Sequence, residues 1–267
     1  MTNPKPNDQK GNFVWYELMT SDLESATAFY SKVVGWTLSE FPGGRTRYVI
    51  ANAAHGPVGG LMPIPPEAKA NGMPPVWVGY VGVDNVDQAA KNLKHAGGHI
   101  DRAPDDIPNV GRFAMVTDPQ GAMFVLFTPK DPQNAASGHT MRDGGVGWHE
   151  LMTTDMPKAF DFYASQFGWV KSTAMDMGPM GTYQLFKPAN DSPDMGGMMT
   201  DTQSPKPYWL FYFVVADIDA AMKRVTDQKG KVLMGPMEVP GGAWIIQATD
   251  PQGALFALVG MRKGASA

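Results

Sequence analysis

Short apolar stretches alternate with amphipathic stretches along the whole chain, and they predict one recurring order of elements. Residues 13–19 alternate aromatic and apolar side chains with others, which predicts a β-strand. Residues 20–22 then offer N-caps, and apolar side chains recur at helical spacing until Gly35 ends the helix. Three short strands separated by glycine and proline turns are predicted next, at residues 37–41, 47–51 and 59–63.

The same order starts again after a proline-rich break at residues 63–75. A strand is predicted at residues 76–83, and a helix then begins at Asn85 or Asp87 and ends at a Gly-Gly pair. Three further strands are predicted at residues 99–102, 112–117 and 123–128. The first half of the chain is therefore predicted to contain two modules, each with one strand, one helix and three more strands (βαβββ).

Three motifs of the first half recur in the second half in the same order. They are Trp-x-Glu-Leu-Met-Thr at residues 15–20 and 148–153, Phe-Tyr followed by Gly-Trp at 29–36 and 162–169, and Asp-Pro-Gln-Gly-Ala at 118–122 and 250–254. The three offsets are 133, 133 and 132 residues. A long period that occurs only twice predicts two copies of one domain, and so four βαβββ modules in all.

The repeat predicts the organisation of the chain. The predicted segments are a disordered polar tail at residues 1–11, a first domain at 12–130, a linker at 131–145 and a second domain at 146–262. Each copy is long enough to bury a core of its own. The two copies are expected to pack on each other, which predicts a monomer with pseudo-twofold symmetry or a homodimer.

Composition narrows the choice of partners. A hydrophobic fraction of 43% and a charged fraction of 18% are typical of a globular protein. A net charge of −4 without a basic cluster argues against nucleic acid. The chain lacks cysteine, a signal peptide and any apolar run of membrane-spanning length, so we expect a cytoplasmic protein that does not act at a membrane. A small-molecule ligand is the partner that remains.

The duplicated motifs resemble the vicinal-oxygen-chelate superfamily, which includes glyoxalase I, extradiol dioxygenases and bleomycin-resistance proteins. The similarity covers about residues 13–127 and 147–259. It implies an α+β fold of tandem glyoxalase-like domains, in each of which two βαβββ modules form a curved sheet cup. The Trp-x-Glu-Leu-Met-Thr form also looks like a two-domain, glyoxalase-like bacterial subgroup.

The resemblance further implies a divalent metal in each cup, held by His, Gln or Glu on the first and last strands of the modules. In this chain the corresponding positions hold side chains that cannot bind a divalent ion, namely Trp15, Val78, Val125, Trp148, Leu210 and Ala257. A shift of one residue brings only Tyr16 or His149 into the set. No cofactor is therefore predicted, and the ligand count argues against a metal.

The residues left on the expected metal face are candidates for ligand binding. Strand alternation places Trp15, Glu17 and Met19 on one side, and Trp148, Glu150 and Met152 on the same side of the second copy. Each glutamate either bonds a backbone amide or an arginine for structural reasons, or contacts a ligand or acts as a base. His149 points to the other side and is predicted to be a core histidine.

Four aromatic residues of the strands that begin the second module of each copy are predicted to line the cups, with sheet packing as the alternative. They are Trp77, Tyr80, Trp209 and Tyr212. The Gly-Gly pairs at residues 59–60 and 196–197 are predicted to allow close approach of backbones within the sheet.

Three functions are compatible with these observations. The first is metal-free binding of a small aromatic or apolar molecule in the cups. The second is a metal-independent, glyoxalase-like lyase in which Glu17 or Glu150 is the general base. The third is a metal-dependent lyase or dioxygenase, which the missing ligands argue against.

Overall fold

The computed structural model describes residues 9–42, 46–131, 138–204 and 206–263. The first half of the chain follows the predicted order of elements. Its elements are β1 (Phe13–Thr20), α1 (Leu23–Val33), β2 (Thr37–Glu40), β3 (Val49–Ala53), β4 (Gly56–Pro63), α2 (Pro66–Ala70), β5 (Val76–Gly82), α3 (Val86–His95), β6 (His99–Ile107), β7 (Gly111–Thr117) and β8 (Met123–Pro129). The short helix α2 lies in the proline-rich break and was not predicted.

The second half repeats this order. Its elements are β9 (Val146–Thr153), α4 (Met156–Phe167), β10 (Val170–Asp176), a 3₁₀ turn (Gly178–Met180), β11 (Thr182–Lys187), β12 (Gly196–Thr200), β13 (Tyr208–Val215), α5 (Ile218–Asp227), β14 (Lys231–Glu238), β15 (Trp244–Thr249) and β16 (Leu255–Gly260). The four predicted βαβββ modules are confirmed.

The strands form two mixed sheets, each with eight strands. Their orders are β2-β3-β4-β1-β5-β8-β7-β6 and β10-β11-β12-β9-β13-β16-β15-β14. The first and last strands of each module pair in parallel (β1 with β4, β5 with β8, β9 with β12, β13 with β16), and the remaining pairs within a module are antiparallel. The α+β class predicted from the sequence is confirmed.

The helices start where the sequence places a capping side chain. Asp22 accepts a hydrogen bond from the Ser25 amide at 3.1 Å, and Asp155 accepts one from the Lys158 amide at the same distance. At the other end of α4, Gly168 has a φ of 77°, a left-handed conformation that glycine adopts readily. Within the described ranges, no helix is both long and apolar enough to cross a membrane.

By its contacts the chain divides into two units, and each unit draws on both copies of the repeat. Unit 1 consists of Met1–Val14, Gly79–Ser137 and Trp148–Trp209. Unit 2 consists of Trp15–Val78, Gly138–Gly147 and Leu210–Ala267. A unit thus combines one module of the first copy with one module of the second.

Each unit has an aromatic core to which both copies contribute. In unit 1, Tyr163 packs against Phe124 at 5.6 Å between ring centroids and stacks on Trp169 at 5.1 Å. In unit 2, Phe256 packs edge-on against Tyr30 at 5.4 Å. Such pairs favour edge-to-face or offset geometry because of the quadrupole of the rings. The core of a unit therefore depends on residues from distant parts of the sequence.

Part of the predicted tail and part of the predicted linker are packed. Residues 1–8 and 132–137 lie outside the described residues. Gly11, the last residue of the predicted tail, is buried, and its carbonyl accepts a hydrogen bond from the Trp169 indole at 2.6 Å. In the predicted linker, the carbonyl of Gly144 accepts the Trp36 indole N–H at 2.7 Å. The disorder prediction was therefore wrong at Gly11, because the Gly-Trp motif of the other copy needs a hydrogen-bond acceptor there.

Candidate functional site

The Asp-Pro-Gln-Gly turn of the first copy is tied to a helix of the second copy. In unit 1, Asp118 Oδ1 accepts the backbone N–H groups of Gln120, Gly121 and Ala122 at 2.8, 2.7 and 2.9 Å. Asp118 Oδ2 accepts the Tyr163 hydroxyl at 3.0 Å, and that hydroxyl accepts the Trp209 indole N–H at 3.0 Å. The duplicated motifs that identify the fold therefore assemble into a structural hydrogen-bond chain.

Unit 2 contains the matching chain with the roles of the copies exchanged. The Trp77 indole donates to the Tyr30 hydroxyl at 2.8 Å, and that hydroxyl donates to Asp250 at 3.2 Å. Burial, followed by the charge of Asp250, raises the pKa of Tyr30 well above its ordinary value, so the phenol stays a neutral donor. Both hydrogen-bond chains are buried, and each includes a tyrosine from a helix. Their role is therefore to hold the helices against the sheets.

These contacts correct the prediction for two of the aromatic residues. Trp77 and Trp209 point to the helix side of their strands, where they bind Tyr30 and Tyr163. Because neighbouring residues in a strand point to opposite faces, neither lies on the face of the candidate glutamates. Trp77 and Tyr80 are predicted to line the same cup, but a separation of three residues in a strand puts them on opposite sides.

A second type of hydrogen-bond chain contains Glu150 in unit 1. The Trp148 indole donates to the Tyr183 hydroxyl at 2.8 Å, and this hydroxyl donates to Glu150 Oε1 at 2.9 Å. An indole N–H can only donate, so the hydroxyl accepts from it and directs its own proton to the carboxylate. Burial, followed by the charge of Glu150, raises the pKa of Tyr183 well above its ordinary value. Tyr183 is thus a fixed neutral donor.

The first copy repeats this arrangement in unit 2. The Trp15 indole donates to the Tyr48 hydroxyl at 2.8 Å, and the hydroxyl lies within hydrogen-bonding reach of Glu17. Burial, followed by the charge of Glu17, raises the pKa of Tyr48 well above its ordinary value. Both copies therefore contain a Trp–Tyr–Glu hydrogen-bond chain at equivalent positions of the repeat.

Glycine allows each tyrosine to reach its glutamate. Glu17 is paired with Gly60 across β1 and β4, and Glu150 is paired with Gly197 across β9 and β12. A Cβ atom on Gly60 would collide with the Tyr48 hydroxyl, and one on Gly197 would collide with the Tyr183 ring. The tyrosine side chains therefore cross the neighbouring strand directly above a glycine.

The preceding glycine of each pair has the predicted role. A Cβ atom on Gly59 or Gly196 would collide with the backbone carbonyl of Tyr16 or His149 on the adjacent parallel strand. The predicted close approach of backbones is confirmed at these two positions.

Two matched faces result, and we name them after their glutamates. The Glu17 face consists of Trp15, Glu17, Met19, Tyr48 and Met62, and the Glu150 face consists of Trp148, Glu150, Met152, Tyr183 and Met199. Glu17 and Glu150 are only 8% and 9% exposed, whereas Trp15, Trp148 and Met152 are half-buried. Each face thus offers one mostly buried carboxylate among aromatic and thioether groups, which suits a largely apolar ligand.

The two remaining predicted aromatic residues are buried in separate environments. In unit 1, Tyr80 packs edge-on against Phe127 at 5.9 Å. In unit 2, the Tyr212 hydroxyl accepts a hydrogen bond from Gln247 at 3.1 Å. Each tyrosine lies three residues from a helix-facing tryptophan in the same strand, so it points to the opposite face of the sheet. The role of Tyr80 and Tyr212 in ligand binding therefore stays a prediction.

The side chains at the expected metal positions do not fit a divalent ion. Trp15 and Trp148 use their indole N–H groups on tyrosines, and four buried aliphatic residues occupy the other positions, namely Val78, Val125, Leu210 and Ala257. First-row divalent ions require imidazole, carboxylate or thiolate donors. Over the described ranges, no three His, Cys, Asp or Glu side chains are grouped so that they could hold an ion.

His149 is a core histidine, as the sequence predicted. Its ring is buried, stacks on Phe13 with centroids 4.3 Å apart, and lies 2.7 Å through Nδ1 from the carbonyl of Met195. These contacts occupy both a ring face and a ring nitrogen, so His149 is held within the core on the side away from Glu150.

Sequence reasoning missed the two tyrosines that orient the glutamates. Tyr48 immediately precedes β3 and Tyr183 lies in the equivalent strand β11, and each copy has its Gly-Gly pair on the strand between that tyrosine and the glutamate. The coincidence of a repeated tyrosine with a repeated glycine was the available signal. It could not be used without the strand register.

Comparison with known proteins agrees with this fold. The model of the family described as Glyoxalase/Bleomycin resistance protein/Dioxygenase superfamily matches residues 12–126 and 138–258. CFP32 of Mycobacterium tuberculosis, which carries a glyoxylase name, is 32% identical over 96% of this chain and 97% of its own length. The anthracycline biosynthesis protein DnrV of Streptomyces peucetius is 30% identical over 94% of this chain and 93% of its own. A Mn(II)-bound glyoxalase from Novosphingobium aromaticivorans superposes with a TM-score of 0.65 at 14% identity, covering 94% of this chain and 82% of that protein.

Proposed function

Since the chain belongs to the glyoxalase/bleomycin resistance protein/dioxygenase superfamily, we propose that it binds a small, largely apolar molecule on its Glu17 and Glu150 faces without a metal. The observation that carries the proposal is the Trp–Tyr–Glu chain present in both copies. The donor set at the superfamily's metal positions supports it, because aliphatic and indole groups stand where ligands would be needed.

The tyrosine fixes both the position and the role of the glutamate. A hydrogen bond from a neutral phenol stabilises the ionised carboxylate and holds it in one orientation. The glutamate is then an acceptor prepared for a hydroxyl or N–H group of the ligand, and the aromatic and methionine side chains contact its apolar part. This division between one polar anchor and an apolar surface is typical of small-molecule sites.

The name of DnrV supports an aromatic ligand. That relative is named for anthracycline biosynthesis, and anthracyclines are polycyclic aromatic molecules that carry hydroxyl groups. A planar ring system with a hydroxyl donor would match the half-buried Trp148, the half-buried Met152 and the oriented Glu150. We therefore propose a polycyclic phenol as the ligand class.

The name of CFP32 favours a second candidate, a metal-independent lyase of the glyoxalase kind. In that case Glu17 or Glu150 would be the general base, and the tyrosine would position it. Turnover of a methylglyoxal–thiol adduct that persists in the presence of a chelator, and that is lost in the double Glu→Gln variant described next, would support this candidate over simple binding.

The first prediction concerns the two glutamates. The double variant Glu17→Gln, Glu150→Gln is expected to bind an anthracycline roughly 10- to 100-fold more weakly, because each substitution replaces a charge-assisted hydrogen bond by a neutral one. Dissociation constants can be measured from the quenching of tryptophan fluorescence. Glu238→Gln, which alters an exposed glutamate at the end of β14, serves as the control and should not change the affinity. Equal affinity of the double variant and the wild type would contradict the proposal.

The second prediction concerns metal. Binding of the same anthracycline is expected to be unchanged after dialysis against a chelator, since the side chains at the metal positions offer no imidazole or carboxylate donor. Elemental analysis of the dialysed and undialysed protein provides the control for metal removal. A loss of affinity that added Mn²⁺ or Zn²⁺ restores would show that the ligand chelates an ion on this protein.

A further inference from the structure

Beside the Glu17 and Glu150 faces, the two copies differ at the residue that begins β5 or β13 and at the residue that follows β4 or β12, and both differences add a polar group near the Glu150 face. Aligned through the repeat, Val76 of the first copy corresponds to Tyr208, and Ile64 corresponds to Asp201. Val76 and Tyr208 are the first residues of β5 and β13, and both are half-buried. Both copies therefore have a half-buried residue at the start of this strand, but its side chain is aliphatic in the first copy and phenolic in the second.

Within unit 1, Tyr208 lies on the side of the sheet that contains Glu150. Phe13 stacks on His149 and packs edge-on against Trp209 at 5.2 Å, so these two residues share a face. Glu150 follows His149, and Tyr208 precedes Trp209. Since neighbouring residues of a strand alternate, Glu150 and Tyr208 both point to the opposite face.

Electrostatics agrees with this placement. Burial, followed by the charges of Glu150 and Asp201, raises the pKa of Tyr208 to about 12. The phenol is therefore protonated at neutral pH and can donate a hydrogen bond. Among the residues that the structure describes, none accepts a hydrogen bond from this hydroxyl, in contrast to Tyr183. Tyr208 is thus a half-buried phenol whose donor is available to a ligand.

We infer that Tyr208 is a specificity-determining residue that donates a hydrogen bond to a carbonyl oxygen of the ligand whose hydroxyl is held by Glu150. The Glu17 face has Val76 at this position and selects a ligand without that carbonyl. The inference rests on the proposed function and extends it, because the two faces then bind different molecules. The ligand class of the Glu150 face is an aromatic hydroxy-ketone.

The test uses two probes that differ only in the carbonyl, hydroxytetralone and its carbonyl-free parent hydroxytetralin. The full-length Glu17→Gln variant confines strong binding to the Glu150 face. It is expected to bind hydroxytetralone about 5- to 10-fold more tightly than hydroxytetralin. Adding Tyr208→Phe should abolish this preference and leave the affinity for hydroxytetralin unchanged, as calorimetry can measure.

The first copy supplies the matched experiment. In the full-length Glu150→Gln variant, Val76→Tyr places a phenol at the equivalent position and is expected to create a preference for hydroxytetralone at the Glu17 face. Tyr208→Phe removes a hydroxyl that donates to none of the described residues, so the midpoint of urea unfolding should not change. An unchanged midpoint shows that an altered preference for hydroxytetralone comes from a lost contact with the ligand and not from a destabilised fold.

The outcomes separate the inference from the function on which it rests. Binding of neither probe, or binding that Glu150→Gln leaves unchanged, would overturn the proposed function and this inference with it. Binding that depends on Glu150 but keeps its preference for the carbonyl in Tyr208→Phe would overturn the inference alone. Loss of the preference in Tyr208→Phe together with its gain in Val76→Tyr would support it.

Discussion

The two sequence copies, residues 12–130 and 146–262, are each expected to fail to fold as a monomer when expressed alone. In a fragment of the first copy, Tyr30 loses Asp250 and Asp118 loses Tyr163, because these partners belong to the other copy. The aromatic cores would also be opened, since Phe124 packs on Tyr163. Exposing such a core costs several kcal/mol for each large side chain, and the sum over several of them exceeds the usual domain stability of about 5–15 kcal/mol.

The experiment compares each fragment alone with an equimolar mixture. Size-exclusion chromatography and urea unfolding should show that each fragment alone is aggregated, unfolded or self-associated. After mixing, they should show a one-to-one complex that unfolds in urea like the intact chain. A monomeric fragment with a cooperative unfolding transition would contradict the expectation, because it would show that one copy contains a complete core.

Asp118→Ala is expected to lower the free energy of unfolding by about 3 kcal/mol or more. The carboxylate is buried and accepts three backbone N–H groups as well as the Tyr163 hydroxyl. Alanine leaves all four donors without that acceptor, and unsatisfied buried donors are costly. Urea unfolding followed by circular dichroism measures the change.

Two controls separate this effect from the loss of charge. Asp118→Asn keeps an oxygen for the turn but no longer accepts the hydroxyl of Tyr163 on Oδ2, so a smaller loss of about 1 kcal/mol is expected. Asp227→Ala removes an exposed carboxylate paired with Lys223 and should cost less than about 0.5 kcal/mol. Similar losses for Asp118→Ala and Asp227→Ala would contradict the structural role of the hydrogen-bond chain.

Local patterns predicted most elements of this fold, and the short helix α2 is an exception. The helix predicted to begin after the N-cap candidates at residues 20–22 and to end at Gly35 agrees with α1 (Leu23–Val33), which Asp22 caps. The strand predicted at residues 76–83 agrees with β5 (Val76–Gly82), in which aliphatic and aromatic residues predominate. The duplication supports these predictions, since the same pattern occurs independently at residues 15–20 and 148–153.

The partners of those elements could not be predicted in the same way. Tyr30 could have bonded either Asp118 or Asp250, because both turns have the same sequence and only the three-dimensional arrangement distinguishes them. The same ambiguity hid Tyr48 and Tyr183, which reach their glutamates across an intervening strand. In contrast, strand alternation alone is enough to place Trp77. It lies three residues from Tyr80 in the same strand, so the two side chains must point to opposite faces of the sheet.

The exchange of hydrogen bonds between copies has a consequence for how this gene can change. Tyr30 and Asp250 are 220 residues apart in sequence, yet a loss of either leaves the other without its bond. Recombination that replaces one half of the coding region with that of a relative would separate such pairs. Chimeric proteins are therefore expected to fold only where both parent proteins have the Phe-Tyr helix and the Asp-Pro-Gln-Gly turn. The two halves of the coding region are thus constrained to evolve together.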